Sequence, residues 1–285
     1  MIPAAFDYVR PQTLPAAIAA LAQGGETAKL IAGGHSLLPM MKLRFAQPGL
    51  LIDINELSEL KAINVLATEV EIGATTTHAT LEHDPQIAAV LPLMAAMAPQ
   101  IADAAVRNRG TLGGAIVHSD PTADWPAAML ALDAMFDLEG PSGKRSLAAE
   151  DFFKGLFETA LGHQEILTRV RIPTRQGTRV SYRKFRQPAS GYAVTGVAVV
   201  LFMQGDRCSG GRIAATGFGE HAFRAKAAEA MLAGYDGQPE HGERIVELAF
   251  EGATPVEDRF ADAEYRLQVG RTMLRRALVD ALARR

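Results

Sequence analysis

A chain of 285 residues is longer than a typical single domain and points to two or three, each able to bury a core of its own. Its 29 basic and 32 acidic side chains nearly cancel, and no block of Lys and Arg forms a footprint for nucleic acid. The single cysteine, Cys208, excludes an internal disulfide and a thiolate-ligated iron–sulfur cluster, which takes about four cysteines, so any such centre is expected on another chain. The seven histidines form neither an HExxH motif nor a close cluster with carboxylates, and no protein-bound metal is expected. Residues 1–7 lack the basic and apolar regions of a signal peptide, and no apolar run reaches the roughly 18 residues of a membrane span. The chain therefore reads as cytoplasmic, with attachment at the inner face of the membrane left open.

In chain order, Thr13 is placed to cap a first helix with Pro15 in its opening turn, Ile18, Leu21 and Ala22 on one face, and Gly24-Gly25 at its end. An apolar strand over 28–32 delivers a glycine-paired loop, Ala32-Gly33-Gly34-His35-Ser36, and a second strand over 50–54 follows Pro48-Gly49. Residues 61–65 and 69–73 read as a hairpin, and 77–91 and 92–107 as helical stretches. A second glycine-paired loop, Arg109-Gly110-Thr111-Leu112-Gly113-Gly114-Ala115, leads to a helix that Asp124 is placed to cap, with Trp125 and Pro126 in its first turn. Strands near 134–139 and 165–172 close this unit. After the linker-like stretch 172–177, strand-like runs at 179–185, 193–203 and 212–218 precede helices around 221–233, 241–251 and 260–283, the pattern of a separate α+β domain.

The two glycine pairs carry the chemistry. A glycine pair removes the Cβ that keeps a polyanion off the backbone and permits φ > 0, so that successive N–H groups converge on phosphate oxygens. His35, Ser36 and Thr111 add side-chain donors, and the shared design implies a diphosphate held from two sides. Neither GxGxxG nor GxxxxGK[ST] is present, which removes most support for nicotinamide and ATP readings and leaves a dinucleotide lying between two lobes. His35 reads equally as a donor to the ligand and as a loop histidine bonded to nearby backbone. Asp120 and Asp124 suit ribose hydroxyls or flavin ring nitrogens, and equally a turn and a helix cap. Met40, Met41, Met94 and Met97 read as core filling, while Lys42, Arg44 and His118 read equally as pointing into a site and as solvated and are not assigned to it.

The run from Ala32 to Arg44 and Thr111-Leu112-Gly113-Gly114 closely resemble the FAD-binding medium subunit of molybdenum hydroxylases, of the aerobic carbon monoxide dehydrogenase type. The likeness extends to residues 6–11, to residues 120–127 and to Tyr265-Arg266, and so covers essentially the whole chain. It implies an α+β fold: a two-lobed FAD-binding fold of the vanillyl-alcohol-oxidase type, with lobes over 1–57 and 58–175, and a C-terminal α+β domain over 176–285. It implies a pyrophosphate held by Ala32, Gly33, Gly34, His35 and Ser36 and by Thr111, Leu112, Gly113, Gly114 and Ala115. Related xanthine dehydrogenases imply further FAD contacts at Ile101, Asp124, Leu161 and Lys184, with Asp120 beside them. Tyr192 resembles the aromatic near the flavin ring, its plainer reading being a half-buried strand tyrosine.

In this family a large subunit oxidises substrate at a molybdenum–pterin centre. A small subunit relays the electrons through two [2Fe-2S] clusters, and the FAD of the medium subunit passes them to an external acceptor, a quinone or NAD. The resemblance thus implies both partner subunits, assembled as a dimer of heterotrimers, and no catalytic acid or nucleophile on this chain. Ala115 stands where the family pattern often has Asn, and His118-Ser119-Asp120 replaces an Asn-containing stretch of carbon monoxide oxidisers, which bears on the substrate and leaves FAD binding intact. The open alternatives are a self-contained FAD oxidase or reductase on the same fold, the flavin subunit of a purine, aldehyde or N-heterocycle dehydrogenase, and a nucleotide-binding scaffold.

Overall fold

Thr13 does cap the first helix, α1 (Leu14–Gly24): its hydroxyl accepts from the Ala16 N–H at 3.3 Å, and Leu14, Ala17, Ile18 and Leu21 are buried along one face. In the computed structural model, which describes residues 2–283, that face lies on a parallel sheet of β1 (Asp7–Val9), β2 (Ala28–Ile31) and β3 (Leu50–Asp53) in the order β1-β3-β2. A short helix, α2 (Leu37–Lys42), follows the first glycine loop. Strand β1 is exposed along its whole length, so no alternation announces it; its ladder with β3 and the Tyr8 hydroxyl bond to Asp53 at 2.6 Å hold it.

The hairpin forms as expected from β4 (Ile63–Val65) and β5 (Glu69–Gly73), with Ile63 opposite Ile72. The two helical stretches form as well, in short pieces. They divide into α3 (His78–His83), α4 (Pro85–Val90), α5 (Pro92–Met97) and α6 (Ala104–Arg107), with a 3-10 turn between the last two. Pro85 and Pro92 each begin a helix and Pro99 lies in the 3-10 turn, because proline disfavours helix at the residue before it and cannot donate to the preceding turn. Then come α7 (Leu112–His118), α8 (Asp124–Ala131), β6 (Met135–Gly140), β7 (Gly143–Ala148), the single turn α9 (Ala149–Phe152), a ribbon of β8 (Phe153–Gly155) and β9 (Glu158–Thr159), and β10 (Ile166–Pro173). Five of these strands form an antiparallel sheet in the order β4-β5-β10-β6-β7. Strand β7 was not expected, being mostly exposed.

The last third folds as an antiparallel sheet of β11 (Thr178–Arg186), β12 (Ala193–Gln204), β13 (Arg207–Thr216) and β14 (Phe223–Arg224), in that order. The helix expected over 221–233 is a correction: residues 223–224 pair with β13, and only the turn α10 (Lys226–Glu229) is helical. Helices α11 (Pro239–Ala249) and α12 (Ala263–Ala283) complete the chain. Successive residues of β12 serve two cores, which is why its sequence is apolar without alternation. Val197, Val199 and Leu201 pack with Leu274 and Leu278 of α12, while Ala198 and Val200 join Trp125, Met129 and Phe136 in the core of the preceding unit. No helix among the described residues is long and apolar enough to cross a membrane.

Candidate functional site

The two glycine loops meet, and they do so backbone to backbone. A Cβ on Gly33 would lie 2.3 Å from the Arg109 carbonyl oxygen and 2.7 Å from the Gly110 Cα, so only glycine allows this approach. Gly34, at φ +77°, provides the left-handed residue that reverses the chain after β2. Among the described residues, the N–H groups of Gly33, Gly34, His35 and Ser36 have no protein acceptor, so this loop is an open cradle of backbone donors. Asn55 steadies it from behind by donating to the Ala32 carbonyl at 2.8 Å.

The second pair is built differently from the expectation. Gly113 and Gly114 lie in the first turn of α7 without positive φ. The N–H groups of Leu112, Gly113 and Gly114 are already taken, by the Thr76 carbonyl at 2.9 Å, the Ala74 carbonyl at 2.8 Å and the Thr111 hydroxyl at 3.1 Å. Gly113 is glycine because a Cβ there would lie 2.6 Å from that of Ala74. This loop thus contributes a close wall rather than a second set of free donors.

Together the loops line a cavity of about 820 Å3 that extends between the parallel sheet, the segment from Ile101 to Trp125, the β8–β9 ribbon and the loop before β12. Of the residues singled out from sequence, Ala32, Gly33, Gly34, His35, Ser36, Ile101, Thr111, Gly113, Gly114, Ala115, Asp120, Asp124, Leu161 and Tyr192 line it. Two do not. Leu112 is wholly buried in the core with its N–H spent on Thr76, and Lys184 lies behind the wall with its side chain 1% exposed. Met40, read as core filling, and His118, not assigned to the site, line it as well, a correction to both; His78, Phe45 and Phe157 come from separate elements and carry no local motif that could have signalled them.

Asp124 is likewise a correction, since it opens α8 rather than capping it. Its buried carboxylate accepts from Lys184 Nζ at 2.9 Å and from the Tyr182 hydroxyl, two groups on β11. Burial pushes the Asp124 carboxyl up, against the pull of Lys184 and Tyr182, and the same burial holds the Tyr182 hydroxyl far above its ordinary range. Asp120 closes its own turn by accepting from the Thr122 N–H at 2.8 Å, and Thr216 ties that turn to β13 through the Pro121 and Ala123 carbonyls. Desolvation, helped by the Asp120 charge and opposed by a hydrogen bond with Ser36, pushes the Tyr192 hydroxyl up to about 12. His78 accepts from the Trp125 indole N–H at 3.0 Å, and burial, reinforced by His35 and Arg107, brings its imidazole down to about 4. His35 makes no hydrogen bond to its own loop among the described residues, so its ring is available to the cavity.

An apolar cleft of this volume, with one open cradle of N–H groups, has the shape and donors that suit a diphosphate-bridged cofactor. The family model for the FAD binding domain in molybdopterin dehydrogenase matches residues 4–175, and that for the CO dehydrogenase flavoprotein C-terminal domain matches residues 180–281. The carbon monoxide dehydrogenase medium chain of Hydrogenophaga pseudoflava is 43% identical over 285 residues, 100% of this chain and 99% of that one. The nicotine 6-hydroxylase medium subunit of Paenarthrobacter nicotinovorans is 37% identical over 280 residues, 98% of each. The structure of reconstituted CO dehydrogenase from Oligotropha carboxidovorans superposes with a TM-score of 0.97 at 38% identity and covers 100% of both chains. The chain belongs to the family of FAD-binding medium subunits of carbon monoxide dehydrogenase-type molybdenum hydroxylases, and FAD is its cofactor.

Proposed function

We propose that this chain is the electron-exit subunit of a molybdenum hydroxylase, receiving electrons from [2Fe-2S] clusters of a small partner subunit and delivering them to a quinone or NAD-like acceptor. A large partner subunit would hold the molybdenum–pterin centre, two such trimers pairing into a heterohexamer. In this reading residues 1–57 and 58–175 form the two lobes around FAD, and residues 176–285 form the domain that braces their rear wall. FAD supplies the chemistry that this position needs, exchanging single electrons with clusters and electron pairs with an acceptor. The protein supplies placement. The carrying observation is the cradle from Gly33 to Ser36: four N–H groups without protein acceptors among the described residues, on a loop that only glycine can bring against Arg109 and Gly110. Those donors suit the diphosphate oxygens, the paired Asp124 keeps a carboxylate fixed in the wall, and the apolar flanks exclude water from the ring systems.

That the chain resembles, end to end, medium subunits of enzymes named for substrates as unlike as carbon monoxide and nicotine supports a substrate chosen on the large partner. Carbon monoxide is the substrate class we favour, on the higher identity to carbon monoxide dehydrogenase medium chains. The test is purification of the native complex followed by assay with carbon monoxide, aldehydes, purines and N-heterocycles. Co-purification of large and small subunits and turnover of carbon monoxide are expected. A chain that purifies alone and oxidises one of these substrates would overturn the proposal.

A further inference from the structure

Three successive carbonyls in the cavity wall are held by two cations. Lys184 Nζ donates to the Gln100 carbonyl at 2.9 Å, and Arg107 Nη1 donates to those of Ile101 and Ala102 at 3.1 and 3.3 Å. Arg107 is in turn fixed by Glu82, Nε to Oε2 at 2.7 Å, both side chains being only 15% exposed. Ala102 sits at φ +43°, a left-handed conformation that costs a residue with a Cβ and persists where its surroundings enforce it. Both Ile101 and Ala102 line the cavity. A trans peptide is planar, so the Ala102 N–H points opposite to the Ile101 carbonyl, away from the guanidinium. It has no protein acceptor among the described residues. The cavity-lining Gly191 backs onto it, where an added Cβ would lie 3.5 Å from the Ala102 nitrogen.

We infer that Arg107, braced by Glu82, is a positioning residue for the cofactor: by drawing the Ile101 and Ala102 carbonyls to one side it turns the Ala102 N–H into a donor for a heteroaromatic ring of FAD. The acceptor is a ring nitrogen or carbonyl oxygen, a chemistry that both the isoalloxazine and the adenine offer. The inference rests on the cavity being the FAD site. It adds a third element to the glycine loops, one whose shape is set by charge rather than by glycine.

The full chain, stripped of flavin, is titrated with FAD, FMN and ADP by calorimetry, as wild type and as Arg107→Met, Arg107→Lys, Ala102→Gly and the Arg107→Met/Ala102→Gly pair. Arg107→Met is expected to weaken FAD about tenfold or more, the scale of a hydrogen bond to a charged group. Arg107→Lys keeps the charge, and with it the fold, but its single nitrogen cannot hold the two carbonyls and Glu82 together as Nη1, Nε and Nη2 do, so the same loss is expected together with an altered visible band of bound FAD if the isoalloxazine is the acceptor. In the double variant Ala102→Gly should recover part of the lost affinity, because glycine adopts the left-handed turn without the strain that Arg107 offsets. Loss in the FMN arm assigns the isoalloxazine, and loss in the ADP arm the adenine. Unchanged affinity of both Arg107 variants for all three ligands, or no recovery in the double variant, overturns the inference. A wild-type chain that binds no FAD overturns instead the cavity assignment on which it stands.

Discussion

Gly33→Ala isolates the contact that shapes the cavity. The new methyl would fall 2.3 Å from the Arg109 carbonyl oxygen, 2.7 Å from the Gly110 Cα and 2.9 Å from the Arg109 carbonyl carbon, all of them backbone atoms that no rotamer change can move. Ordinary contact needs roughly 1 Å more, so the two loops must part by about that much. Overpacking of this kind costs about 1–3 kcal/mol. If the closed arrangement is the one that binds, FAD affinity should fall about 5- to 150-fold. Gly114→Ala serves as the control: its Cβ meets only the Thr111 hydroxyl, at 2.7 Å, so the expected cost is a weakened cap of about 1 kcal/mol, seen as a lower Tm with the FAD Kd little changed. Titration of the flavin-free chain with FAD, followed by flavin fluorescence, and thermal melts of the same samples give both quantities. A Gly33→Ala variant with wild-type Kd and wild-type Tm would refute the claim that backbone contact between the loops forms the site.

Gly34→Ala should lose about 1–2 kcal/mol of binding or stability to its left-handed backbone, less than Gly33→Ala, because the nearest atoms belong to the flexible Leu38 side chain; equal or greater loss than Gly33→Ala counts against this ordering. Asp124→Asn and Lys184→Met should each destabilise by about 3–5 kcal/mol in denaturant, and the double variant by less than their sum; single costs under about 1 kcal/mol would show that the pair is not buried as described. His78, at about 4 when folded against an unfolded value near 6.5, binds its proton more readily in the unfolded chain. Stability should therefore fall as pH drops from about 6.5 toward 4, by up to about 3 kcal/mol, and His78→Asn should flatten that limb of a Tm–pH curve; an unchanged limb removes His78 from the account. Acid precipitation should release all the flavin as FAD, one per chain, since no covalent attachment is expected at Cys208 or the histidines; yellow pellet or FMN in the supernatant contradicts this.

Much of this architecture was legible where physics is local. Thr13, the left-handed turn at Gly34 and the alternation of Val70 and Ile72 each act on their own neighbourhood and were readable. The break at Pro92 was equally local and fell where the two stretches divide, whereas the stretches ran through Pro85 and Pro99 and so set aside the proline rule there. Strands β1 and β7 left no pattern because exposure removes the selection for alternation. What sequence could not show was partnership at a distance. Asp124 looks like a cap until Lys184 and Tyr182 arrive from β11, and the second glycine pair looks like a donor cradle until Ala74 and Thr76 occupy its N–H groups. Likewise, nothing in Ile101-Ala102 announces a turn whose carbonyls face Arg107.

The proposed division of labour is tested most directly by rapid mixing of carbon monoxide with two preparations, the chain alone carrying FAD and the same chain reassembled with its large and small partners, while flavin absorbance is followed. With one cysteine the chain cannot ligate a cluster of its own. The expected result is no bleaching in the isolated chain, although dithionite bleaches it and a dye restores it, and rapid bleaching once the partners are present. Direct reduction of the isolated flavin by carbon monoxide would contradict an electron-exit role and indicate a self-contained flavoenzyme.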